Sequence, residues 1–105
     1  MRLVDLEAKL VRHEMRGERE VMVEVDSAAD AQGVFFFCPQ CVEQNAHSIL
    51  VWFADRGVPD GVTPLNRWRA TGTGLHDLSL SPSINLDVGG SKCRWHGFVT
   101  AGEAR

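Results

Sequence analysis

Two short stretches carry residue types that bind metal ions: Phe37-Cys38-Pro39-Gln40-Cys41 and Cys93-Arg94-Trp95-His96-Gly97. A tetrahedral zinc ion takes thiolate and imidazole donors, and a two-residue gap lets one tight turn aim a pair of them at the same ion. Both stretches have that gap, and all three cysteines of the chain lie in them. An odd, small number of cysteines leaves no even set for a disulfide framework. Cys38, Cys41, Cys93 and His96 therefore read as one metal site. Four protein ligands leave no open coordination position, so the metal is expected to be structural. Pro39 and Gly97 supply restricted and permissive backbone at the two turns, and Phe35, Phe36, Phe37, Trp95 and Phe98 are expected to wall the ion from water. Zinc is the expected guest and iron the minority option, because a Rieske centre needs one cysteine and one histidine in each half and the first half here has two cysteines. The plainer alternative makes Cys38 and Cys41 buried thiols or a redox pair, unrelated to Cys93 and His96.

A second constellation is Leu78-Ser79-Leu80-Ser81-Pro82-Ser83-Ile84, where serines alternate and would share one face of an extended backbone. A serine hydroxyl attacks a carbonyl only when a base takes its proton and donors hold the oxyanion. Ser81 and Ser83 are the candidate nucleophiles, with backbone amides near Pro82 as oxyanion donors. His47, just after the first cysteine pair, is the candidate base, and His76 in Gly74-Leu75-His76-Asp77 is its rival. Asp77 and Asp55 are the carboxylates available to orient either imidazole. No GxSxG elbow is present. Serine and proline also form turns and cap amides, and His47 also suits a partly buried core position or an alternative metal ligand, so composition does not decide.

The elements that must position these groups are mostly strands. Val4, Leu6, Ala8 and Leu10 alternate, although Leu3, Leu6 and Leu10 also fit a short amphipathic helix, and Val21, Val23 and Val25 alternate against Met22 and Glu24. Gly33 to Phe37 is expected to enter the first knuckle as a strand, and Ile49-Leu50-Val51-Trp52-Phe53 is a continuous apolar run of the kind found in buried strands. Gly57, Pro59, Asp60, Gly61 and Pro64 mark a loop. Arg67 to Thr71, Leu78 to Leu80 and Gly97 to Thr100 are further extended pieces. The expected fold is mainly β: a small antiparallel zinc-ribbon-like domain with two metal knuckles and little helix.

A length of 105 residues suits one domain over 1–105, and 44% hydrophobic with 24% charged residues is ordinary for a globular chain. A core of that size gains from a metal staple. The net charge of -3, with Lys9 and Lys92 the only lysines, argues against generic nucleic-acid binding. Arg67-Trp68-Arg69 is a short basic and aromatic cluster. No apolar run approaches the roughly 20 residues of a membrane span. The first residues lack the apolar segment of a signal peptide, so a cytoplasmic location, where thiolates stay reduced, is expected.

Taken in order, Leu6-Glu7-Ala8-Lys9-Leu10-Val11, the first cysteine pair with its following histidine, the mid-chain tryptophans, the Leu78 to Ile84 segment and Cys93-Arg94-Trp95-His96-Gly97-Phe98-Val99 resemble a known family. It comprises small zinc-ribbon-like proteins of phages and of bacterial operons that encode ubiquitin-like conjugation enzymes. The resemblance covers most of the chain. It implies a serine peptidase or isopeptidase that processes a ubiquitin-like protein, with Ser81 or Ser83 as nucleophile, His47 as base, and structural zinc on Cys38, Cys41, Cys93 and His96. Gly97-Phe98 stands where operon members have an aromatic pair, which is closer to the phage branch and leaves substrate and activity open. The alternative is a non-catalytic zinc-ribbon module that binds a protein partner, and less readily single-stranded nucleic acid, through exposed Trp52, Trp68 and Trp95.

Overall fold

A computed structural model describes residues 1–40, 48–85 and 95–105. Alternating residues make the first hairpin, β1 (Lys9–Arg16) with β2 (Arg19–Val25), in the register Leu10 to Val25 through Arg16 to Arg19. Gly17 turns it at φ 67°, the positive value that a tight hairpin turn matched to strand twist requires. β1 then pairs antiparallel with β3 (Gly33–Phe37), and β3 with β4 (Ser48–Phe53). β5 (Arg67–Thr71) and β6 (Ser79–Ser81) complete a six-stranded sheet ordered β2-β1-β3-β4-β5-β6.

The unbroken apolar run of β4 has a simple cause: the strand is covered on both faces. Ile49, Val51 and Phe53 join Leu10, Val34 and Phe36 in the larger core, while Trp52 turns to the other face with Val11 and Val62. A strand with no solvent-facing side has no place for polar alternation. The main core is completed by Leu3, Leu6, Leu78, Leu80, Ile84, Trp95 and Val99, so the two regions with candidate chemistry both feed it.

Two expectations change. The opening segment is a single 3-10 turn, Leu3–Leu6, that buries Leu3 and Leu6 and exposes Val4; the strand starts only at Lys9. Spacing of i and i+3 eclipses side chains in such a turn, so Leu3 and Leu6 fill one spot in the core. The sheet is also not wholly antiparallel, because β4 and β5 run parallel with Trp52 opposite Arg67 and Phe53 opposite Trp68. Parallel neighbours need a long return connection, which residues 54–66 supply. Arg67 clamps that loop by donating to the carbonyls of Pro64 (2.6 Å), Pro59 (2.9 Å) and Val62 (3.1 Å), so its guanidinium is occupied by its own chain. The mainly β, helix-poor expectation holds; Cys41 and Cys93, on which the two expected knuckles depend, lie outside the described residues.

Gly33 sits where β3 passes tightly beside β4. An added Cβ would stand 2.6 Å from the Val51 carbonyl oxygen and 2.7 Å from the Trp52 ring. Gly33→Ala should therefore destabilise the protein by about 1–3 kcal/mol, the usual cost of overpacking, seen as a lower urea midpoint with little change in slope.

Candidate active site

Beyond β6 the chain bends at Pro82 and enters β7 (Ile84–Asn85), which pairs antiparallel with β8 (His96–Gly97). The register sets Ile84 opposite Gly97 and Asn85 opposite His96. Residues directly opposite share a face, and so does the diagonal neighbour two positions away. Ser83 is that diagonal neighbour of His96. Its Oγ lies 3.0 Å from the imidazole Nε2, within the range expected of a nucleophile and its base.

The local sequence explains why these two side chains meet. Residues 95–100 alternate buried and exposed: Trp95, Gly97 and Val99 point inward, and His96, Phe98 and Thr100 outward. Trp95 stands edge-on to Phe36 at 6.3 Å between ring centres, which anchors the strand in the core. Gly97 has no room for a side chain, since a Cβ there would overlap the Arg105 carbonyl and press on the Trp95 ring. On the other strand, the Trp68 indole N–H donates to the Ser83 carbonyl at 3.3 Å. The Ser83 backbone is thus tied to β5. His96 is exposed and Ser83 half-buried, so the pair opens to solvent. Among the described residues no carboxylate pairs with His96; the residue directly across from it is Asn85.

The other candidates fall elsewhere. Cys41, His47 and Cys93 lie outside the described residues. Cys38 is buried at the end of β3. Among the described residues, no three or more histidine, cysteine, aspartate or glutamate side chains gather as a metal-holding group. Ser79 and Ser81 sit in β6, but the strand ends before Ser83, so the three serines do not form a single row. Ser79 Oγ accepts the Ala101 N–H at 2.8 Å, a structural cap, and Ser81 is exposed opposite Arg69. His76 is exposed, 3.8 Å from Asp77. That carboxylate is occupied by the turn before it, accepting the N–H groups of Thr73 and Gly74, each at 2.9 Å, and the Thr73 hydroxyl at 3.0 Å. The Gly74 and Thr73 bonds hold Asp77 below its ordinary value. Asp55 turns the chain after β4 in the left-handed region and makes no imidazole contact among the described residues.

Aromatic exposure also departs from the sequence reading. Trp52 and Trp95 are 2% and 7% exposed and Trp68 is partly buried, so the three do not form an open binding face. Phe98 is 58% exposed and cannot wall a buried ion. The pairing of His96 with Ser83 was hidden by the CxxH spacing, which assigns that histidine to metal; the alternation of 95–100 is the signal that aims it outward. No helix among the described residues is long and apolar enough to cross a membrane.

Two outcomes follow. Ser79→Ala should lower stability by about 1 kcal/mol in urea titration by leaving the Ala101 amide without its acceptor, while Ser83→Ala should change it by less. Because the Asp77 pKa is depressed in the fold, its contribution is present above the unfolded value near 3.8 and disappears as pH falls through the lowered folded value. The carboxylate-linked NMR shift change of the Thr73 and Gly74 amides should therefore come at a more acid pH than the titration of an unfolded aspartate.

Residues 7–105 match the model of BubE, the bacterial ubiquitination-like system serine protease family. No curated protein and no solved structure matches the chain. With the match spanning nearly every residue, Ser83 and His96 included, this chain belongs to the BubE family of bacterial ubiquitination-like system serine proteases.

Proposed function

We propose that the protein is a serine protease acting on a ubiquitin-like protein, with Ser83 as nucleophile and His96 as general base. The observation that carries this reading is the 3.0 Å approach of Ser83 Oγ to His96 Nε2 at a solvent-open edge. His96 takes the hydroxyl proton as Oγ attacks the scissile carbonyl, then returns it to the departing amine. Water, activated by the same imidazole, releases the acyl group. Pro82 has no N–H, so the nearest oxyanion donor is the N–H of Ser83 itself. Asn85, across the ladder from His96, is the proposed orienting group for the ring, a role asparagine fills in Cys-His-Asn proteases. The partner class rests on the family's description, which places it in a ubiquitination-like system.

The cysteine inventory supports a second element of the proposal: structural zinc on Cys38, Cys41 and Cys93. The buried Cys38 thiol suits such a site. His96 fits as the fourth ligand only through Nδ1, since Nε2 faces Ser83. A ring coordinated at Nδ1 carries its proton on Nε2, donates it to the serine, and is no longer a base. The same contact thus separates two readings, His96 as base or His96 as ligand with Ser83 as its outer partner. Zinc would supply cohesion to the fold and no chemistry at the serine.

A fluorophosphonate probe mapped by mass spectrometry tests both. Labelling should fall on Ser83, persist in Ser81→Ala, and drop at least about 100-fold in Ser83→Ala and His96→Ala. Trp68→Phe, which removes one hydrogen bond to the nucleophile's backbone, should slow labelling roughly three- to tenfold. If His96→Ala keeps its zinc and its melting temperature while losing labelling, the imidazole is the base. Loss of zinc and of folded protein in that variant makes it the ligand. No labelling of Ser83 in the folded wild type ends the protease reading.

A further inference from the structure

The outward face that carries His96 continues past the Ser83 pair. We infer that Phe98, with Thr100, Ala101, Glu103 and Arg105, forms a substrate subsite that takes a bulky apolar side chain of an extended polypeptide. This inference rests on the protease reading and names the feature of the substrate that the site selects.

Four observations carry it. First, these five residues line a cavity of about 510 Å³, within the usual size of small-ligand pockets. Second, the Phe98 ring is 58% exposed and therefore presents apolar area to whatever occupies that space. Third, the cavity's Phe98 lies on the same outward face as His96, two residues along the chain. His96, Phe98 and Thr100 alternate outward along one extended stretch, and carrying the β7–β8 register one step further sets Phe98 across from Ser83. Phe98 itself bonds to Arg105 in both directions, N–H to carbonyl at 3.1 Å and carbonyl to N–H at 2.9 Å. Those bonds hold the ring on the C-terminal hairpin, β9 (Val99–Thr100) with β10 (Glu103–Ala104), where Thr100 faces Glu103. Fourth, the Arg105 guanidinium donates to Glu103 at 2.9 Å, so the two charged side chains that line the cavity are paired with each other. An apolar substrate side chain gains the ring.

Spacing identifies the residue that lands there. Same-face residues of an extended strand are about 7 Å apart, the step from His96 to Phe98, so a polypeptide running alongside residues 96–100 with its scissile bond beside His96 projects the side chain two positions away onto Phe98. The subsite therefore reads that second-neighbour position of the substrate.

The test is a peptide-library digest read by mass spectrometry alongside phosphonate labelling. Wild type should cut with bulky apolar residues enriched about tenfold over glycine two positions from the cleaved bond on one side, a usual gain for filling an apolar pocket. Phe98→Ala should reduce that enrichment to below about threefold, and Thr100→Trp, which fills the cavity, should do the same. Because the readout is a ratio within each variant, a general loss of activity does not mimic it. Cutting without apolar enrichment overturns the subsite, as does enrichment that survives both variants or Ser83 labelling with no peptide cut at all. Absence of Ser83 labelling is the separate result that removes the protease reading itself.

Discussion

A slip of one residue in the pairing of Ile84 with Gly97 would turn Ser83 and His96 to opposite faces, because side chains alternate across a strand. The register of this two-rung ladder is thus the constraint on which the site depends, and a ladder so short cannot hold it alone. The surrounding structure fixes it. Trp95 is buried against Phe36 before the ladder, and Gly97 lies under the Arg105 carbonyl with no space for a larger residue. Trp68 ties the Ser83 carbonyl from the other side.

The broad sheet matters to the site through these anchors. Phe36 belongs to β3 and Trp68 to β5, strands separated by β4, so the two anchors are spaced by the sheet itself. The last hairpin is held in turn to the body of the fold: Gly102 donates to the Leu78 carbonyl and accepts from Leu3, and Ala104 donates to the Met1 carbonyl. The short 3-10 turn at Leu3–Leu6 and the final strands therefore brace each other beside the β7–β8 ladder. A small exposed site is kept rigid by contacts between remote parts of the chain, each worth little alone.

The strands were legible where alternation or uniform burial marked them. The bounds read for Gly33–Phe37 and Arg67–Thr71 coincide with the observed strands, and the apolar run of Ile49 to Phe53 fills all but one residue of β4. The parallel β4–β5 pair was not legible, since the direction of a neighbour is a property of the connection and not of either strand. Ser83 was visible as a candidate among three serines, but only the bend after Ser81 separates it from the other two. His96 was read as a metal donor because spacing in CxxH is a local signal, whereas its partner across the ladder is separated from it by a stretch that sequence alone cannot fold. Only the binding-module alternative needed Trp52 and Trp95 exposed; both are buried, and Trp52 satisfies its polar edge on the Thr63 carbonyl at 3.0 Å.

The bond between the Trp68 indole and the Ser83 carbonyl gives this molecule a built-in optical gauge. Of the tryptophans, Trp52 and Trp95 are buried, and among the described residues it is Trp68 that donates to the Ser83 carbonyl. Indole emission depends on what its N–H meets, so on the protease reading a covalent adduct on Ser83 would be read in the colour and intensity of the protein's own light.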